Sequence, residues 1–319
     1  MKQHIRNSIV FLIGAGIVYA ILAFLIETKI LNDFYVQVLM IIGINIILAC
    51  SLNLVIGFTG QLALGHAGFM SVGAYTAAVL TMNFHVPFLI AMICGGLMAA
   101  AFGLAIGIPT LRLKGDYLAI TTLGFGEIIR VFIVNIDYLG GPRGLPGIEK
   151  HTNYTWVFVI TVLSVLAIRF IINSSHGRAM ISVREDEIAA EAMGINTTKY
   201  KVAAFAIAAF FAGIGGGLYA HLVRFVDPLT FNFLKSIDYV VFVVAGGMGS
   251  LTGSIVGATA LTLLPEALRL LSLAKYRMLV YAVLLLILML FRPQGLFGSK
   301  EISLKVFSGL GLKRAGGDK

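Results

Sequence analysis

Few residues in this chain have the types and spacing that covalent chemistry requires. A phosphate-cradling loop needs a lysine preceded by glycine, and no lysine here has one. The metalloprotease pattern His-Glu-x-x-His is absent, and His66 has no second ligand at useful spacing for a metal. Cys50 and Cys94 both fall inside apolar runs and build neither a disulfide framework nor a metal cluster. Ser71, close to glycines, has no partner base and cannot be read as a nucleophile. What remains is charge in costly surroundings. Glu127 and Arg130 lie three apart within an apolar run, on one helix face, and can form an ion pair. Such a pair either orients its span against a neighbour or marks a passage. Glu266 and Arg269 repeat the spacing nearer the end of another run, where an interfacial role is expected.

The elements that position these residues follow from composition. Of 319 residues, 59% are hydrophobic and 12% charged, with a mean hydropathy of +0.95. Soluble domains are about 25% charged, and the interior of a fold this long does not grow fast enough to hide so much apolar surface. Lipid must solvate it. Backbone groups cannot stay unpaired in lipid, so the choice is a helix bundle or a closed barrel. Apolar runs of roughly 20 residues without period-two alternation exclude the barrel. The fold class is therefore all-α, a polytopic membrane helix bundle. The net charge of +9 does not point to nucleic acid, because the basic residues sit singly between apolar runs rather than in one patch.

Apolar runs broken by charge fall at 9–26, 37–56, 62–82, 88–111, 117–135, 154–173, 201–221, 237–249, 254–272 and 278–291. This predicts about ten transmembrane segments. Lys2 and Arg6 before the first run resemble a signal sequence with a cleavage site after Ala20, but the run is long and another span soon follows. A retained first helix is expected. Placing the N-terminus inside and alternating puts most Lys and Arg in the inner segments, among them Arg112, Lys114, Arg178, Arg184, Lys199 and Lys201. An even number of spans with both termini cytoplasmic is the consistent solution. Residues 1–298 then form a transmembrane domain and 299–319 a basic cytoplasmic tail.

Two Gly-punctuated stretches, 57–80 and 246–264, occupy corresponding places in the two halves. They read either as broken helices lining a midplane passage or as surfaces for close helix packing. Gly103-x-x-x-Gly107, Gly213-x-x-x-Gly217 and Gly253-x-x-x-Gly257 favour packing. Whether 62–82 and 237–272 cross fully or re-enter stays open.

The stretch 177–195, GRAMISVREDEIAAEAMGI, is charged, long and cytoplasmic in this orientation. It is predicted to be one amphipathic helix with Ile181, Ile188, Ala192 and Ile195 near one face and Gly194 ending it. A lipid surface does not suit it, since Glu185, Asp186, Glu187 and Glu191 would face an anionic leaflet. Insertion into a groove on a cytoplasmic partner does.

This stretch resembles the coupling loop of ABC-importer permeases, in which Glu-Ala-Ala is followed three residues later by Gly. Ala189, Ala190 and Gly194 match, whereas Ile188 stands in the place of the Glu and Glu187 lies one residue earlier. GQLALGHAGFMSVGAY (60–75), RLKGDYLAITTLGFGEIIR (112–130), AGGMGSLTGSIVGA (245–258) and FRPQGLFG (291–298) make the resemblance specific. From about residue 37 to 298 the chain is similar to the permeases of branched-chain amino acid importers. The resemblance implies a non-enzymatic subunit without cofactors of its own, ATP and Mg belonging to partners. It implies a second, LivH-like permease subunit, two cytoplasmic ATPases, a periplasmic or lipid-anchored solute-binding protein, and a place in the inner membrane. Arg184, Glu187, Ala189, Ala190, Glu191 and Gly194 would then couple to the ATPases. Leucine, isoleucine or valine would pass along polar groups that compensate partial desolvation, with Asn45, Asn53, Gln61, His66, Thr121, Thr122 and Glu127 as candidates. Each competes with a role in helix–helix hydrogen bonding.

Three other readings carry less. A sister importer for urea, amides or a sugar would look the same in its spans. An ion-coupled transporter would place acids deep in several spans, and Glu127 alone is deep here. A membrane enzyme lacks the residues already sought.

Overall fold

In the computed structural model, residues 2–270 are described except 112 and 114, together with 279, 282, 283, 286, 295, 296 and 298. The predicted tail 299–319 lies outside the described residues, as does most of the predicted span 278–291.

Among the described residues the apolar runs fold into helices. The order begins α1 (Lys2–Glu27), α2 (Asp33–Thr59), α3 (His66–Phe84), α4 (Phe88–Thr110) and α5 (Asp116–Val134). Gly60, at φ +71°, closes α2 by turning its N–H back to the Val55 carbonyl. A non-helical stretch, 60–65, then leads into α3. After α5 the Gly/Pro-rich segment forms short turns and β1 (Leu145–Pro146), followed by α6 (Tyr154–Asn173). Two short helices, α7 (Ser175–Glu185) and α8 (Glu187–Ala192), precede the long α9 (Thr197–Val223). Then come β2 (Phe225–Val226), α10 (Phe233–Gly246) and α11 (Leu251–Leu270).

Among the described residues six helices are long and apolar enough to cross a membrane: α2, α4, α5, α6, α9 and α11. By contrast α10 has 14 residues, about 21 Å at 1.5 Å each, short of a ~30 Å hydrocarbon core. The predicted run 237–249 is therefore a shorter element than its neighbours.

At the centre α9 packs against α2, α3 and α4, and glycine sets how close they come. A Cβ on Gly73 of α3 would lie 2.2 Å from the Gly213 Cα of α9, so only glycine fits that crossing. The spaced glycine pairs are used in the same way. Gly103 and Gly107 meet Ala209 and Phe205, and Gly257 meets the Gly246 backbone. Large apolar side chains on the outside, such as Leu97, Ile120, Phe132 and Phe170, remain exposed, as a lipid-facing surface requires.

The connections sort to two ends. At one, β1 pairs antiparallel with β2, Leu145 opposite Val226. Phe88 at the start of α4 meets Trp156 and His221 there edge to face. At the other end the α2–α3 stretch, the α4–α5 connection and the α7–α8 pair line one cavity. The turn between α10 and α11 joins them through Gly249, which lies beside Arg184. Leu296 donates its N–H to the Ala245 carbonyl at 2.9 Å, which brings part of the 291–298 motif to this end as well.

Candidate functional site

The stretch expected as one helix over 177–195 is two. Ser174 caps α7 by accepting from the Gly177 N–H at 3.2 Å. Asp186 then leaves the helix (φ −157°, ψ 109°). Its carboxylate accepts from the Ile188 and Ala189 N–H groups at 2.9 and 3.0 Å, which starts α8. A short acidic side chain competes here with the backbone ladder and prevails as an N-cap. Gly194, at φ +82°, ends α8 as expected: its N–H reaches the Glu191 carbonyl at 2.9 Å and the Ile195 N–H the Ala190 carbonyl at 3.0 Å.

The break rotates the predicted apolar face. Met180 and Val183 of α7 and Ala190 of α8 face inward. Ile188, expected on the apolar face, is 77% exposed, and Met193 is 82% exposed. Together with exposed Ala189 and Ala192 they form one uncovered apolar face.

Charge fixes this elbow to the bundle. Arg184 Nη1 donates to the Gly57 carbonyl of α2 at 2.7 Å, and its Nε to Glu185 Oε1 at 3.1 Å. Glu187 accepts from Lys201 Nζ at 2.6 Å, and Glu191 from Thr197 Oγ1 at 2.7 Å, so both acids are turned back onto the start of α9. Gly57 is itself a joint. A Cβ there would lie 1.8 Å from Asn53 Oδ1 and 2.2 Å from the Gly249 nitrogen. Asn53 accepts from the Gly249 N–H at 2.9 Å and donates to the Ser250 carbonyl at 2.9 Å and Ser254 Oγ at 2.7 Å. The α7–α8 elbow, the end of α2 and the α10–α11 turn thus meet within a few side chains.

The polar residues expected along a passage divide into three places. Asn45 and Asn53 face α11, Asn45 donating to Thr262 Oγ1 at 2.9 Å. His66 and Thr122 bracket the 60–65 stretch: His66 Nε2 meets Ser51 Oγ at 3.0 Å, and Thr122 Oγ1 accepts from the Leu64 N–H at 3.0 Å. Gln61 lies in the cavity beside the elbow. Thr121 and Glu127 stay half-buried on α5. Arg130 Nε donates to Glu127 Oε2 at 2.7 Å, and Glu127 Oε1 accepts from the first N–H of α10, at Phe233, at 3.0 Å. The pair orients α5 against α10. Of these residues Gln61 is the one that lines the cavity beside the elbow. Among the described residues, His, Cys, Asp and Glu do not gather into a group that could hold a metal.

Sequence reasoning missed Gly57, Gly249, Ser250, Ser254 and Lys201 as members of the joint. The signal that existed was Asn53, an amide in an apolar run that demands a partner. That partner stands 197 residues away.

Residues 34–289 match the family described as branched-chain amino acid transport system / permease component. The chain belongs to this family. Among the branched-chain permeases, the high-affinity branched-chain amino acid transport system permease protein LivM of Salmonella typhimurium is 37% identical, over 76% of this chain and 64% of the relative. A probable LivM of Methanocaldococcus jannaschii is 25% identical over 67% of this chain and 69% of the relative. The permease LivH of Salmonella typhimurium is 27% identical over 59% and 60%. The chain thus spans about two thirds of the length of these permeases. No solved structure matches it at a significant level.

Proposed function

We propose that this branched-chain permease is one membrane subunit of an ATP-driven importer that carries leucine, isoleucine or valine across the inner membrane. It would pair with a LivH-like permease and work with two cytoplasmic ATPases and a periplasmic or lipid-anchored binding protein. The transport functions of its relatives support this cargo. The lack of any lysine preceded by glycine fits ATP and Mg on partner subunits. The topology we propose has the N-terminus inside and about ten spans, counting α1, α3, α10 and the run 278–291. Both termini are then cytoplasmic, and 299–319 is an inner tail. The sorting of connections to two ends supports it, since the alternation puts every connection at the elbow on the inner side.

One contact carries the mechanism: the Arg184 guanidinium on the Gly57 carbonyl. The uncovered face of α8, with Ile188 and Met193 at its centre, seats in a groove on an ATPase. When the ATPases close on ATP, α8 moves with them, and Glu187 and Glu191 carry the start of α9 along. Arg184 passes the displacement to α2, and Asn53 passes it to the α10–α11 turn. Packed helices move as bodies because their interiors are close-packed, so a shift at the elbow rocks α2, α9 and α10 together. The half-buried face of α5, with Thr121 and Glu127, would line the passage with the partner permease. Gln61, His66 and Thr122 would stand at its inner end, and Asn45 and Asn53 would hold α11 in place.

The test is uptake of radiolabelled leucine by vesicles holding the whole assembly. Ile188→Asp with Met193→Asp puts charge on the docking face and should abolish uptake while both permeases remain in the membrane. ATP hydrolysis would then no longer respond to the loaded binding protein. Full uptake by the double variant would refute the docking face. An intact, hydrolysing complex that ignores leucine would refute the cargo.

A further inference from the structure

The elbow borders a half-open cavity of about 240 Å³ between the 60–62 stretch, the α4–α5 connection and the α7–α8 break. Gln61 lines it, is only 4% exposed, and has no partner for either Nε2 or Oε1 among the described residues. A buried amide left unpaired costs about 1–3 kcal/mol for each group. Two polar neighbours are turned elsewhere. The Thr59 hydroxyl donates to the Val55 carbonyl at 2.6 Å, and the Asp186 carboxylate caps α8. A polar group entering the cavity would complete Gln61.

The walls say what that is. A free carboxamide offers a donor and an acceptor side by side, and Arg184 and Glu185 bring both signs of charge to the same space. Leu62, Leu113 and Leu118 supply an apolar wall. A phosphate would meet Glu185 and Asp186 as like charges, and a simple cation would meet Arg184 and Lys201 in the same way. A sugar would leave the leucines unused. A zwitterion with a hydrocarbon side chain matches all three features. The volume falls below the ~300–1,000 Å³ of pockets for drug-sized ligands and suits one small molecule.

We propose that this cavity binds an α-amino acid with an apolar side chain from the inner solution, and that occupancy props the α7–α8 elbow and slows coupling. Its carboxylate accepts from Gln61 Nε2 on the Arg184 side. Its ammonium donates to Gln61 Oε1 on the Glu185 side, and its side chain lies on Leu62, Leu113 and Leu118. A ligand there touches the elbow and two interhelical connections together, so it opposes their relative motion. The choice of amino acid rests on the proposed cargo, whereas the existence of the site does not.

The test uses the complete assembly without binding protein, in nanodiscs, with photo-leucine as probe and peptide mapping after illumination. Adducts should fall within 59–62, 113–118 or 183–187 and be competed by excess leucine. They should disappear in Leu62→Trp, which fills the cavity, while Gln61→Leu should weaken competition about tenfold, the loss expected for a hydrogen bond to a charged group. In vesicles, leucine preloaded on the ATPase side should slow initial uptake by the wild type but not by Leu62→Trp. Labelling absent from these segments, or persisting unchanged in both variants, overturns the site. Labelling there with no effect of preloading on uptake overturns the regulatory half. Loss of leucine uptake in the unmodified assembly would instead strike the proposed cargo, and the labelling would still decide the site.

Discussion

Asn53 commits every polar atom of its side chain to the turn between α10 and α11. Its Oδ1 holds the Gly249 N–H, and its Nδ2 holds the Ser250 carbonyl and the Ser254 hydroxyl. Replacement by a leucine of similar shape would strand the buried Gly249 N–H, at about 1–3 kcal/mol, while the Ser250 carbonyl keeps its bond from the Ser254 N–H. Asn53→Leu should therefore lower the thermal midpoint of the purified permease pair and slow leucine uptake, even though nothing about it touches the solute. A melting curve superimposing on the wild type would show that the amide does not hold the joint. The neighbouring glycine gives the same place its geometry. Gly57 leaves room for the turn to approach α2 while offering its carbonyl to Arg184. Two residues four apart on α2 thus serve one contact between elements distant in sequence.

At the scale of elements, the break at Asp186 decides what α7 and α8 can do. A single rigid helix would keep Ile181 and Ile188 on nearly one face. Two helices meeting at a capped corner bury Met180 and Val183 on one arm and present Ile188 and Met193 on the other. Asp186→Ala removes the cap at a cost of about 1 kcal/mol, so the amides of 187–192 should exchange with solvent several-fold faster than in the wild type. Unchanged exchange at Ile188 and Ala189 would mean that the corner is held by packing alone. This corner also marks the limit of legibility. The membrane runs were readable because a long apolar stretch bounded by charge has one solution in lipid: the run predicted at 154–173 is α6 residue for residue. Asp186, inside Arg-Glu-Asp-Glu, reads as one more charge on a polar face, and nothing local says that its side chain will turn to the backbone. The candidate passage residues were readable as polar groups in apolar runs, but not by destination. Asn45 and Asn53 find Thr262 and Ser254 across the bundle, while Gln61 finds no described partner, and spacing along the chain distinguishes none of these.

For the whole molecule, the decisive property is which end faces inward. The two-ended sorting of connections makes this an all-or-none question. If Met193 is cytoplasmic, then so are Leu62 and Leu113, and Pro146 and Phe225 lie outside together because β1 and β2 pair. The charge bias is what supports the proposed inner position of the elbow, since Arg178, Arg184, Lys199 and Lys201 crowd around it and the inner leaflet side collects basic residues. A membrane-impermeant thiol reagent can read this directly once Cys50 and Cys94 are replaced by alanine. Phe225→Cys, on the exposed edge of the small sheet, should label in intact cells or right-side-out vesicles. Met193→Cys should label only after the membrane is opened or in inverted vesicles, and ATPase subunits seated on α8 should then shield it. Shielding by the ATPases would join topology and coupling in one measurement, because it requires the elbow to be both inside and covered. Labelling of Met193→Cys from outside would invert the molecule and remove the elbow from reach of any ATPase. The docking face, the rocking of α2, α9 and α10, and the inner amino-acid site would all fall with it, since each depends on the elbow meeting the cytoplasm.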